Sequence, residues 1–166
     1  MNTNLVPLAS AAVLWRPTLK LAYIGLSQVP MLWYARPQVL HLDDTSTVVR
    51  IRLRRRTRNH LGSMYFGAFA VGADCTGGIL AMHHIGRSSA PISIIFKDFH
   101  ADFLSRAMGD VHFHCQDGAA VAAAVARTAS SGQRENVPLQ LLATVPEESA
   151  TEPVARFSLT MSLKAR

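Results

Sequence analysis

No acidic residue occurs before Asp43, and only two cysteines, Cys75 and Cys115, occur at all. Two thiols exclude the disulfide framework of a small secreted domain; each lies among apolar neighbours and reads as a reduced core residue. No apolar run reaches the roughly 20 residues of a membrane helix, because Arg16, Pro17 and Lys20 interrupt the apolar segment 5–35. No basic residue precedes Leu5 and no small-x-small site closes that segment, so it does not read as a signal peptide. The cytoplasm is the expected location. Internal repeats and inter-domain linkers are absent, as are a GxSxG nucleophile elbow and a nucleotide-binding glycine fingerprint. The seven histidines offer no zinc spacing with a third ligand nearby. His83 and His84 adjoin, His112 and His114 share a strand face, and His60 flanks a loop. Surface or capping roles are expected for them, and no metal.

At 166 residues the chain is long enough for one domain with a real core. Residues 1–30 read as an N-terminal arm and short helix, and 31–166 as the core. The net charge of +6 comes largely from Arg50, Arg52, Arg54, Arg55, Arg56 and Arg58. Arg50, Arg52 and Arg54 would line one strand face, suited to the phosphates of coenzyme A or a nucleic-acid backbone. The bland reading is a solvated face that resists edge aggregation. No RNA-binding aromatic pair accompanies the run, so nucleic acid is not an expected partner.

In chain order, residues 1–15 read as a loose arm. A short helix with Pro17 in its first turn follows and stops at Gln28-Val29-Pro30. Residues 31–42 are expected as a strand with an edge or bulge at Pro37. Residues 47–56 alternate clearly enough for a second strand. A loop over 57–64 leads to a long helix ending near Gly86. Strands are then expected over 92–105, 111–115, 136–145 and 154–163. A short Ala-rich helix spans 118–127, and an acidic loop 146–153. The order predicts an α+β fold in which an antiparallel sheet wraps one buried helix.

The stretch 59–82, NHLGSMYFGAFAVGADCTGGILAM, contains one formal charge, Asp74. Gly67, Gly72, Gly77 and Gly78 each cost a helix roughly 1 kcal/mol relative to Ala, so a helix here must be buried and closely packed. Helical spacing groups Asp74 with Gly67, Ala70, Val71, Gly77, Gly78 and Ala81, a face open to close approach. Phe66, Phe69, Ala73 and Leu80 would form the core stripe. A lone carboxylate there is costly to bury. It is either a structural acid held by backbone N–H groups or a catalytic one.

Asn59, then Gly62, then Gly67 at the start of the helix, with Asp74 two turns in, resembles the hotdog-fold thioesterases of the phenylacetate-pathway branch. Tyr65-Phe66-Gly67 stands where that family has His-Gly-Gly, keeping the last glycine. NHLGSMYFGA is also similar to an uncharacterised hotdog subfamily of the DUF4442 type. The resemblance implies a hotdog fold, at least a homodimer, and hydrolysis of an acyl thioester, usually an acyl-CoA. Coenzyme A enters only as part of the substrate, and no separate cofactor is implied. Asp74 would be general base or nucleophile. The amides of Phe66 and Gly67 would form the oxyanion hole. Asn59 would lie near the water or the carbonyl, facing Asp74 of the partner chain. Tyr65 stands at the family's histidine position. Gly62, His60, Arg54 and Arg56 complete the expected substrate contacts. The alternative is a hotdog protein that binds acyl-CoA without turnover. A third reading is an interaction protein using the apolar N-terminal segment and the arginine face.

Overall fold

The computed structural model describes residues 12–166. Most of the arm expected over 1–15 therefore lies outside the described residues. The elements are α1 (Trp15–Ser27), α2 (Pro30–Ala35), β1 (Gln38–Leu42), β2 (Thr47–Ile51), α3 (Phe66–Ile85), β3 (Ile92–Phe103), β4 (Val111–Cys115), α4 (Gly118–Ser131), β5 (Glu135–Val145) and β6 (Ser149–Ala165). The six strands form one antiparallel sheet in the order β1-β2-β4-β5-β6-β3. β3 pairs only with β6, so its other edge is open among the described residues.

The sheet wraps α3 through alternating side chains. Phe113 of β4, Leu139 and Leu141 of β5, and Phe157 and Leu159 of β6 meet Phe69, Ala73 and Leu80 of the helix. Each large apolar side chain so buried contributes about 1.5–3 kcal/mol. That offsets the glycines, which α3 needs for seating. A Cβ on Gly72 would run into the Phe113 ring, so the helix sits flush on the sheet. α4 covers one flank of this core with Val121, Ala124 and Val125. A second cluster of Leu21, Leu32, Val39, Val49, Cys75 and Ile79 seats α1 and α2 on the other flank.

Four expectations are corrected. Residues 31–42 are not one strand. Pro30 sits at the start of α2, Arg36 closes that helix in the left-handed conformation (φ 52°), and β1 begins only at Gln38. A proline without a free N–H suits a helix start as well as a helix stop. The second strand ends at Ile51, not Arg56. There Leu53 N–H donates to Asp110 Oδ1 at 2.9 Å, and Thr57 Oγ1 donates to Arg52 O at 2.6 Å and accepts from Arg54 N–H. The chain turns, and Arg52 and Arg54 leave the strand. The acidic loop shrinks to a turn over 146–148, because β6 starts at Ser149. His112 and His114 are not surface residues: each is 6% exposed. They share the sheet face opposite α3 with Arg50, since His112 pairs with Arg50 and β4 is buried on both sides. Burial holds both imidazoles neutral, pushing their pKa values down to about 4, and neighbouring Arg50 adds to this for His112. His114 Nε2 meets Thr144 Oγ1 at 3.0 Å. The two cysteines are free and buried, as expected. Burial pushes the Cys115 thiol up to about 12.

Candidate functional site

Two clefts flank the segment 52–66. The first has a volume of about 460 Å³ and opens at the N-terminus of α3. The segment supplies Asn59, His60, Ser63, Met64, Tyr65 and Phe66 to it. Phe69 comes from α3, Phe103 from the end of β3, and Ser105 and Arg106 from the loop that follows. Phe69 and Phe103 meet edge to face at 5.3 Å, and both rings pack toward Phe157. The wall is therefore a rigid aromatic cluster continuous with the core.

The loop that brings these residues together is self-contained. Asn59 Oδ1 accepts from Leu61 N–H at 2.9 Å, and Asn59 Nδ2 donates to Ser63 Oγ at 3.0 Å. Gly62 takes φ 85°, a conformation that favours glycine, and closes the turn. Tyr65 N–H donates to Thr57 O at 2.8 Å and fixes the entry to α3. Tyr65 is the N-cap and offers no side-chain cap. Its carbonyl accepts from Ala68 and Phe69 N–H. The amides of Phe66 and Gly67 are left without a partner among the described residues, as the first turn of a helix leaves them. They carry the positive end of a 20-residue helix.

Phe66 does not join the core stripe. It is 63% exposed, because the first residue of α3 projects past the sheet. Its ring lies 4.9 Å from that of Tyr65. The Tyr65 ring folds over Gly67, with Cε1 2.5 Å from where a Cβ on Gly67 would stand.

Asp74 is partly buried, on a stripe of α3 whose residues all keep partial exposure: Gly67, Ala70, Val71, Asp74, Gly78 and Met82. Of these, Val71 and Met82 pack against the cluster that seats α1 and α2. Gly77 and Ala81, expected on that face, turn into the core instead. The Asp74 carboxylate has no hydrogen-bond or ion-pair partner among the described residues. Burial alone holds its carboxyl above the usual carboxylate range. The reading of a structural acid held by backbone N–H groups is not what the structure shows. Asp74 does not line the first cleft; seven residues of helix put it about 10 Å from Gly67 along the axis.

The second cleft, about 280 Å³, is basic. Arg52, Arg54, Arg56 and Thr57 of the segment line it with Ala35, Arg36 and Gln38. Arg56 Nη1 donates to Tyr34 O at 3.3 Å. Arg50 stands apart, donating to Gln38 Oε1 at 2.7 Å and 3.1 Å on the sheet face. Sequence reasoning missed Arg36, Phe103, Ser105 and Arg106. Phe103 and Ser105 lay within the strand expected over 92–105, Arg36 within the one expected over 31–42, and Arg106 just past a strand end, where no local signal points to a cleft. Among the described residues no group of three or more His, Cys, Asp or Glu is placed to hold a metal.

An antiparallel sheet wrapped on one long glycine-rich helix, with the cleft at the helix N-terminus, is the hotdog fold. The match to solved structures agrees. A Pseudomonas aeruginosa protein of unknown function, named a probable thioesterase, superposes with a TM-score of 0.70 at 21% identity, over 90% of this chain and 97% of that one. A Chlorobaculum tepidum protein of unknown function reaches 0.77 at 12% identity, over 90% and 94%. A Haemophilus influenzae thioesterase reaches 0.63 at 12% identity, over 86% and 88%. No curated protein matches the sequence. The chain belongs to the DUF4442 family, a domain of unknown function, whose model matches residues 20–163.

Proposed function

We propose that this protein hydrolyses an acyl thioester, and that acyl-CoA is the substrate class. The observation that carries the reading is Asp74: a partly buried carboxylate, unpartnered among the described residues, on the partly exposed stripe of the central helix. Leaving a carboxylate there lowers stability, so a functional use is the better explanation. The solved hotdog structures named as thioesterases support the same reaction class.

The chemistry is addition of water to the thioester carbonyl. Asp74 takes a proton from the water, or attacks the carbonyl itself to form an acyl-aspartyl anhydride that water hydrolyses after the thiol has left, returning the carboxylate. The carbonyl oxygen gains the negative charge and is held by the free amides of Phe66 and Gly67 at the positive end of α3. The C–S bond then breaks, and the thiolate leaves with the proton as a free thiol beside the carboxylic acid. One protomer cannot supply both parts, because Asp74 lies about 10 Å along the helix from those amides. The active unit is therefore a homodimer, with Asp74 of one subunit facing the amides and Asn59 of the other; a dimer of dimers is the larger form. The open edge of β3, with Ile95, Phe99 and Phe103 exposed, is the pairing surface. The aromatic cleft receives the acyl group, with His60 at its rim. The basic cleft, with Arg54 and Arg56, receives the phosphates of coenzyme A.

Thiol release from short, medium, long and aromatic acyl-CoAs, with Asp74→Asn beside the wild type, tests the reading. Turnover by the wild type and its loss in a folded, dimeric mutant are expected. No turnover on any thioester overturns the hydrolase. One observation favours a second reading, an acyl-CoA-binding protein without turnover: the Tyr65 ring lies over Gly67, where the oxyanion would form. Tight acyl-CoA binding without thiol release would establish it.

A further inference from the structure

Residues 12–42 carry Arg16, Lys20 and Arg36 and no acid. α1 turns Leu21 and Gly25 inward. On its far side Trp15, Leu19, Tyr23 and Leu26 are exposed, Trp15 at 64% and Tyr23 at 68%. At 3.6 residues per turn these four fall within an arc of about 80°, and Arg16 and Lys20 border that arc. The stripe is thus a continuous apolar face opposite the core, not a scatter of single exposed residues.

The face is held rigidly. A Cβ on Gly25 would stand 2.5 Å from the Trp33 backbone nitrogen, so α1 and α2 touch backbone to backbone. The Arg16 guanidinium lies 5.4 Å from the Trp15 ring centroid, and that of Arg36 lies 5.6 Å from the Trp33 ring. α2 exposes Met31, Trp33 and Tyr34 in addition.

We propose that the α1–α2 pair docks this face flat on a bilayer containing anionic lipid. Trp15, Leu19, Tyr23 and Leu26 enter the headgroup boundary, while Arg16 and Lys20 meet lipid phosphates. Charge complementarity selects this partner: the charges are all cationic, matching the uniform negative field of an anionic leaflet. Trp and Tyr flanked by cations are the side chains that settle at a bilayer interface. The helices lie on the surface and do not cross, since α1 has 13 residues and α2 has 6. No described helix is long and apolar enough to span. The proposal stands apart from the hydrolase reading.

The sequence makes the test selective, because both tryptophans of the chain, Trp15 and Trp33, lie in this pair. In full-length protein carrying Trp33→Phe, Trp15 is the sole indole. With vesicles of phosphatidylglycerol and phosphatidylcholine, its emission should shift to the blue and be quenched by brominated acyl chains. The protein should co-sediment with those vesicles and not with pure phosphatidylcholine. Arg16→Glu with Lys20→Glu should lower partitioning at least twenty-fold, at about five-fold per cation lost, with an unchanged thermal melt and unchanged acyl-CoA turnover in solution. Three results would overturn the proposal. One is no binding to anionic vesicles. Another is binding that leaves Trp15 emission and the charge-reversed variant unaffected. The third is self-association abolished by Tyr23→Asp in a protein that ignores vesicles, which would assign the face to a second copy.

Discussion

The cleft at the N-terminus of α3 is walled by Phe66, Phe69 and Phe103, whereas the cleft beside α2 is walled by Arg36, Arg52, Arg54 and Arg56. Both hang on one segment. Thr57 lines the basic cleft and Asn59 the aromatic one, two residues and at most about 7 Å of chain apart. The aromatic cleft grows out of the core and inherits its rigidity from α3 and the sheet. The basic cleft is held by turn hydrogen bonds around Thr57 and by one contact from Arg56 to α2. The first suits burial of an apolar group, the second screened attraction of phosphates. A ligand with an acyl end and a polyanionic end matches the pair.

The sharpest way to break this comparison is to remove the chemistry and leave both clefts. Asp74→Asn should lower thioester turnover by about a hundred- to ten-thousand-fold with little change in KM. Its stability at neutral pH should equal or exceed that of the wild type. The sign follows from the raised carboxyl: folding favours the protonated form, so stability is lost as pH rises through the folded-state pKa, and an uncharged amide avoids that loss. Turnover should rise with pH through the same raised value, above the ordinary 3.8. A rate profile flat across the acid range would remove Asp74 as the base.

Arg54→Glu with Arg56→Glu should act on the other cleft. KM for acyl-CoA should rise about ten- to a hundred-fold, while an acyl thioester of N-acetylcysteamine, which has no phosphates, is unaffected. Equal effects on both substrates would mean that the arginines do not read the handle.

Gly72→Ala should separate the clefts by stability. The added methyl meets the Phe113 ring, and overpacking of this kind costs about 1–3 kcal/mol, read as a lower Tm. Turnover should fall as α3 shifts, yet coenzyme A should still bind, because no residue of α3 lines the basic cleft. Phe66→Ala should have the smallest effect: a few-fold change in preference among acyl groups, since the ring is an exposed rim and not part of the core.

The aromatic cleft was more legible in the sequence than the basic one. Asn59 and Gly62 were legible through the spacing that resembles the hotdog thioesterases, and the start of α3 through an apolar run of helical length. Asp74 stood out by isolation among uncharged residues. The arginine run had no such anchor. Its alternation suggested a strand through Arg56, and only the Leu53–Asp110 bond, between residues far apart in sequence, shows where the strand stops.

By itself the sequence determined the α+β order, the buried central helix, the strands that follow it and the carboxylate that helix carries. Periodicity and the cost of burying charge are local properties of a chain, and they suffice for those. Only the tertiary structure decided that Phe66 faces out, that β4 is buried on both sides with His112 and His114, that Pro30 begins a helix, and that the arginines divide between a sheet face and a cleft. Each of these depends on which distant backbone lies alongside. A side chain's pattern cannot state that, because the same alternation or the same proline is compatible with either neighbour.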